Sequence, residues 1–161
     1  MVFNTNHLEE FRFTYDFPIG IHNQLLVEGS KINALLIKLL KSFNSSYYVI
    51  SGFNLKPYLT LSENIYDMLG IDLEIERQNK LIFRDYCNVF DFDKFDKNFH
   101  LLSRFDKLKS MFIVSLFSNR KIIVFNNTYS EKFKNYIDYI FEVISKMNLF
   151  SDRIFIEIKA S

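Results

Sequence analysis

Apolar and polar side chains alternate from Phe11 to Phe17, with Phe11, Phe13, Tyr15 and Phe17 set against Arg12, Thr14 and Asp16. A period of two predicts a half-buried strand there. Pro18 and Gly20 mark a turn after it. Gln24 to Val27 is a short apolar run that stops at Glu28-Gly29-Ser30, and Ile32 to Phe43 then repeats apolar residues at helical spacing. Tyr47 to Ile50 is β-branched and aromatic. The segment reads as strand, turn, helix and strand, a βαβ unit whose two strands pair in parallel.

Further along, Thr60-Leu61-Ser62-Glu63 has the form of a capping box, in which the hydroxyl accepts from a backbone N–H and the carboxylate reaches back. A helix follows to Leu69, closed by Gly70. Asp72 to Val89 reads as a polar helix, and Asp91 to Phe99 continues it with Phe92, Phe95 and Phe99 at helical spacing. Ser103 to Asp106 is a second box, opening a helix to Ser118; Asn119-Arg120 breaks it, and Lys121 to Phe125 is an apolar strand. Thr128 to Glu131 is a third box, starting a helix that ends near Met147, and Arg153 to Ile158 is the last strand. Strands interleaved with helices, around an all-helical insert from about Thr60 to Ser118, indicate an α/β protein with a mostly parallel sheet and flanking helices.

Composition narrows the choice. A chain of 161 residues fits one domain, and 19 Phe and 9 Tyr against only 4 Gly and 2 Pro favour long helices with short connections. Twenty basic and nineteen acidic residues leave a net charge of +1, which supplies no field to steer the chain onto nucleic acid or an anionic bilayer. Cys87 has no second cysteine to pair with, and His7, His22 and His100 are scattered, so neither a disulfide nor a metal-ligand spacing is present and a reducing cytoplasm suits the chain. Glu9, Glu10, Arg12 and Asp16 interrupt the first apolar stretch, so no signal peptide is read there. The apolar run Met111 to Phe117 is too short to span a bilayer, and a membrane role is expected to go through a partner.

Order and spacing then carry a resemblance. Gln24 to Leu40 looks like the strand, phosphate loop and helix of an ABC-type ATPase. Gly52 to Gly70, GFNLKPYLTLSENIYDMLG, resembles the stretch that follows the family's glutamine loop and opens its helical subdomain. Leu101 to Thr128, LLSRFDKLKSMFIVSLFSNRKIIVFNNT, matches the span from signature motif to Walker B, with Leu102-Ser103 at the start of the signature and Ile122 to Asn127 as the Walker B strand. The middle region is most similar to the ATP-binding subunits of polysaccharide, O-antigen or teichoic-acid exporters. The resemblance implies a P-loop NTPase-like α/β fold over residues 1–161 as a single domain, with a helical subdomain at about 60–118.

The chemical positions depart from the family pattern. A phosphate loop needs several glycines to wrap phosphates in backbone N–H groups, then Lys and Ser or Thr for the γ-phosphate and Mg²⁺. Here Gly29, Ser30 and Lys31 form a degenerate Walker A behind an acidic Glu28. Asn126 and Asn127 stand at the Walker B carboxylates, and a neutral amide is neither a general base nor a good Mg²⁺ partner. Arg104 and Phe105 replace the signature glycines, Ser51 stands at the metal-sensing glutamine, and no histidine lies near Ala160.

The expectation that follows is a catalytically inactive ABC-type subunit, not an enzyme and without cofactor or metal, that serves as a structural or regulatory interaction component of a membrane-associated export system. Its partner would be a permease subunit or a homologous ATPase, met at the cytoplasmic face of the membrane. By resemblance, Phe53, Leu55, Tyr58 and Tyr66 are the partner-binding candidates. The alternative is a non-hydrolysing ABC-like DNA-end binder of the CRISPR-adaptation type, a minority reading at this charge balance. Among other candidates, Cys87 reads as a buried small hydrophobe, the histidines as surface or loop residues, and Asp91 to Lys97 as a solvated helix face with Phe92 and Phe95 turned inward.

Overall fold

A computed structural model describes residues 2–3, 15–17, 19–20, 22–42 and 47–161. The chain divides into two compact units. The first takes in residues 1–51, 120–128 and 150–161, and the second residues 52–119 and 129–149.

In the first unit, β1 (Val2–Phe3) and β2 (Tyr15–Asp16) form a short antiparallel pair. The strand expected from Phe11 onward is present at Tyr15–Asp16, and its earlier half lies outside the described residues. The main sheet has four parallel strands in the order β3 (His22–Val27), β6 (Ile154–Ala160), β5 (Ile122–Asn127), β4 (Tyr47–Ser51). The expected βαβ unit exists, but β3 and β4 are not neighbours: β6 and β5 lie between them. Hydrophobicity explains the order. Strands β5 and β6 are buried along Ile122–Asn126 and Ile154–Ile158 and take the centre, whereas β3 alternates exposed and buried residues and takes an edge.

Helix α1 (Ile32–Ser42) covers one face of this sheet. Its Ile32, Leu35 and Leu39 pack with Leu25, Val27, Val124, Ile156 and Ile158, each such side chain contributing roughly 1.5–3 kcal/mol by leaving water.

The second unit holds α2 (Leu61–Leu69), α3 (Arg77–Val89), α4 (Arg104–Phe117) and α5 (Lys134–Lys146). The Thr60 box forms in full: Thr60 Oγ1 accepts from the Glu63 N–H and the Glu63 carboxylate accepts from the Thr60 N–H at 2.7 Å. Gly70 closes α2 at φ +69°, a left-handed conformation that suits glycine. Helix α3 begins at Arg77 rather than Asp72, because the Asp72 carboxylate takes the N–H groups of Glu74 and Ile75 into a local turn. Residues 91–98 are loop rather than helix. Asp91 sits at φ +51°, Phe92 is buried, and Phe95 is 46% exposed instead of facing the core.

The second box forms by half, since Ser103 Oγ caps the Asp106 N–H and donates to the Asp106 carboxylate, one methylene too short to complete a Glu-type box. The third does not form. A 3-10 turn, Glu131–Phe133, intervenes before α5, and Ser130 at its start makes no side-chain cap. Helix α4 is buried from Leu108 to Phe117, with Ser110 and Ser115 satisfied by carbonyls of their own helix. Lys109, 5% exposed, donates to the Asp91 carbonyl at 2.8 Å and lies 4.4 Å above the Phe105 ring.

Candidate functional site at the carboxyl edge of the sheet

Parallel strands end together, and their carboxyl ends are where α/β sheets bind ligands. The register places Val27 opposite Ala160, Asn127 opposite Lys159 and Ser51 opposite Asn126. Four of the sequence-derived positions, Ser51, Asn126, Asn127 and Ala160, therefore share one edge, and the Glu28–Lys31 loop leaves the same edge from β3.

The loop closes on itself. Lys31 Nζ lies 3.0 Å from the Glu28 carboxylate, and Ser30 Oγ donates to it at 3.3 Å. Hydrogen bonding and charge from Lys31, with help from Ser30, hold the Glu28 carboxyl below the usual carboxylate range. A Cβ on Gly29 would meet nothing within 4 Å, so the backbone needs no glycine there.

The two asparagines differ. Asn126 is 5% exposed and donates to Ser51 Oγ at 3.3 Å, and among the described residues no donor reaches its Oδ1. Asn127, on the opposite face of β5, donates to Glu157 at 2.6 Å. Glu157 was not anticipated. It is 2% exposed in the middle of β6 and also accepts from His22 Nε2 at 2.8 Å and Gln24 Nε2 at 3.0 Å. Burial alone would push its carboxyl up, but the hydrogen bonds from His22, Asn127 and Gln24 hold it below the ordinary value. The signal was in the sequence, as the one charged residue within Ile154-Phe155-Ile156-Glu157-Ile158.

This donor set does not fit a magnesium triphosphate as arranged. The loop's carboxylate sits on its lysine and hydroxyl, and the amide of Asn127 is committed to Glu157.

The remaining predicted positions belong to the second unit. Leu102 is buried and Ser103 is the α4 cap. Arg104 lies over the Phe133 ring, and Phe105 stacks on Tyr136 at 4.6 Å between ring centroids. Tyr58 and Tyr66 are 76% and 59% exposed and Phe53 is 38% exposed, whereas Leu55 is buried and offers a partner no side chain. Asn64, fully buried, shapes the segment carrying Tyr58: it accepts from the Lys56 N–H and donates to the carbonyls of Lys56, Leu59 and Thr60. Tyr129 donates its hydroxyl to the Gly52 carbonyl, next to Phe53. Burial pushes the Cys87 thiol up to about 12, which removes it as a nucleophile. Among the described residues no cluster of His, Cys, Asp and Glu could hold a metal ion, and no helix is long and apolar enough to cross a membrane.

No protein-family model and no curated protein matches this sequence. Solved structures do match. CbiO1 from Clostridium perfringens, part of the ABC transporter complex CbiONQ, aligns over 92% of this chain and 70% of its own, with a TM-score of 0.69 at 11% identity. A protein from Pyrococcus furiosus assigned as an ABC transporter ATP-binding protein aligns over 93% and 83%, with a TM-score of 0.70 at 12% identity. This likeness overturns the expectation that the chain is no enzyme, since the fold it shares is that of an ABC transporter ATP-binding protein, and that expectation is withdrawn. The chain has the α/β, P-loop NTPase-like fold of ABC ATP-binding subunits, built on a parallel four-stranded sheet.

Proposed function

We propose that this chain is an ABC-type subunit that acts as a structural or regulatory component of a protein assembly at the cytoplasmic face of a membrane. A permease subunit or a homologous ATPase subunit is its partner, and export is the process it serves. The observation that carries this reading is the agreement in fold over more than nine-tenths of the chain with two ABC transporter ATP-binding proteins. Exposed Tyr58, Tyr66 and Phe53, on a segment pinned from beneath by Asn64, supply a contact surface that owes its shape to buried hydrogen bonds.

Photo-crosslinking in the cell of origin tests it, with a photoreactive residue at Tyr58 and, as control, at the exposed Lys41 of the first unit. The expected result is an adduct from Tyr58 to an integral membrane protein or an ATPase subunit, absent from Lys41. The same adducts from both positions, or none from either, would overturn the proposal.

A further inference from the structure

Within the first unit, β3 is one margin of the four-stranded sheet, with β6 on its inner side. Each residue of a strand turns its N–H and C=O to one side, and the next residue turns them to the other. The Val27 carbonyl accepts from the Ser161 N–H, so Val27 and Leu25 face β6 while Gln24 and Leu26 turn their backbone groups outward. Among the described residues no backbone group outside the sheet bonds to Gln24 or Leu26. Gln24 is exposed and Leu26 is 64% exposed. His22–Val27 contains no Lys, Arg, Asp, Glu, Pro or Gly, the residues with which edge strands are kept from pairing. The opposite margin differs, since no residue of β4 is exposed.

We infer that β3 pairs antiparallel with β3 of a second copy of this chain, about a two-fold axis through Gln24, so that the two parallel sheets become one continuous sheet. The residue on the axis argues for a copy as the occupant. Only outward-turned residues can exchange hydrogen bonds across this edge, so Gln24 meets the copy's Gln24 and Leu26 lies opposite the copy's His22. The Gln24 amide spends one N–H on Glu157, at 3.0 Å, and keeps a second N–H and an acceptor oxygen, a pair that complements the same pair on a copy. Being uncharged, Gln24 brings no like charge against itself on the axis, where an Asp, Glu, Lys or Arg would repel its own image. A helix is not the occupant, because its backbone groups are spent within it and leave the outward N–H and C=O of Gln24 and Leu26 unanswered. The inference is independent of the assembly reading, whose contact residues Phe53, Tyr58 and Tyr66 belong to the second unit.

The test uses the full chain without added nucleotide. A hydrogen-bonded antiparallel pair sets opposed Cα atoms about 5.5 Å apart, within the reach of a disulfide. On mild oxidation Gln24→Cys is therefore expected to form a covalent dimer at least tenfold faster than Lys41→Cys, an exposed position on α1 of the same unit. Wild type, whose Cys87 is buried, should form none. Because Gln24→Cys also loses its bond to Glu157, sedimentation equilibrium of the chain with Gln24 intact supplies a second readout. Wild type is expected to pass from monomer to dimer as concentration rises, and Leu26→Lys, a charge on an exposed edge position, should weaken dimerisation at least tenfold with an unchanged far-ultraviolet spectrum and unfolding midpoint. Crosslinking of Gln24→Cys no faster than of Lys41→Cys, a wild type that stays monomeric, or a Leu26→Lys dimer as tight as wild type would overturn the inference.

Discussion

Asn127→Asp would put a carboxylate oxygen where an amide nitrogen now lies 2.6 Å from Glu157. Removing the donor and adding a like charge beside a buried carboxylate should cost about 3 kcal/mol in urea unfolding. In a Glu157→Gln background the same change should cost much less, and strictly additive losses would exclude direct coupling. From the sequence, new carboxylates at Asn126 and Asn127 would be expected to crowd each other, but consecutive strand residues face opposite ways and the crowding is with Glu157. Acid titration probes the same contact. Because Glu157 has a depressed carboxyl in the folded state, its contribution is complete above the ordinary carboxylate range and is lost as pH falls through the folded value. Wild type should therefore lose more stability than Glu157→Gln on going below about pH 4.5, and parallel losses would show that the carboxylate is not held by its donors. At the loop, Glu28→Gln removes a negative charge from beside Lys31, so affinity for a triphosphate should rise several-fold on titration with a fluorescent ATP analogue. An unchanged affinity would mean that phosphate does not approach this loop. The places of Gly29 and Lys31 just after β3, and of Asn126 and Asn127 at the end of β5, were legible because each follows an apolar strand run. Glu157 and His22 were not, because 135 positions separate them and only parallel pairing across β3 and β6 brings them together.

Helix starts separate what local sequence can specify from what it cannot. Thr60 and Thr128 open the same four-residue pattern, Thr-x-x-Glu, yet Thr60 caps α2 through its side chain whereas α5 starts at Lys134, after a 3-10 turn. Thr60→Ala should cost about 1 kcal/mol in thermal or urea unfolding, and Thr128→Ala should stay within about 0.5 kcal/mol. Equal losses would mean that the pattern, rather than the hydrogen bond formed, sets the energy. The Thr60 motif works because Asn64 fixes the preceding segment, taking the Lys56 N–H and three carbonyls, so Thr60 arrives in an extended conformation suited to a cap. After Asn127 the strand end itself dictates the path, and the Thr128 N–H bonds back to the Asn126 carbonyl. A similar override sets α3 back to Arg77 and keeps residues 91–98 out of a helix, where Lys109 holds the Asp91 carbonyl from a distant position in the chain. Amphipathic spacing around Phe92, Phe95 and Phe99 was compatible with a helix, but long-range anchoring of Asp91 at positive φ ended α3 first.

At the scale of the molecule, the parallel sheet was legible because β5 and β6 are mostly apolar runs, and their central places go with burial on both faces. The two-unit division was less so. Each unit is assembled from separated stretches of chain, and the helical one adds residues 129–149 to 52–119. The contribution of the added stretch is aromatic: Tyr136 stacks on Phe105, Tyr139 meets the same ring edge-on at 5.3 Å, and Phe141 meets Phe112 edge-on at 6.3 Å. Such pairs are worth about 0.5–1.5 kcal/mol each beyond their buried area, and α4 would otherwise expose apolar surface along this side. A fragment of residues 52–119 alone should therefore retain helical far-ultraviolet dichroism but melt without a cooperative transition and bind a hydrophobic dye. In the full chain, Tyr136→Ala should lower stability by about 2–4 kcal/mol, the lost stacking adding to lost burial. A fragment that melted cooperatively near the temperature of the whole protein would show that α2, α3 and α4 make a complete core without α5.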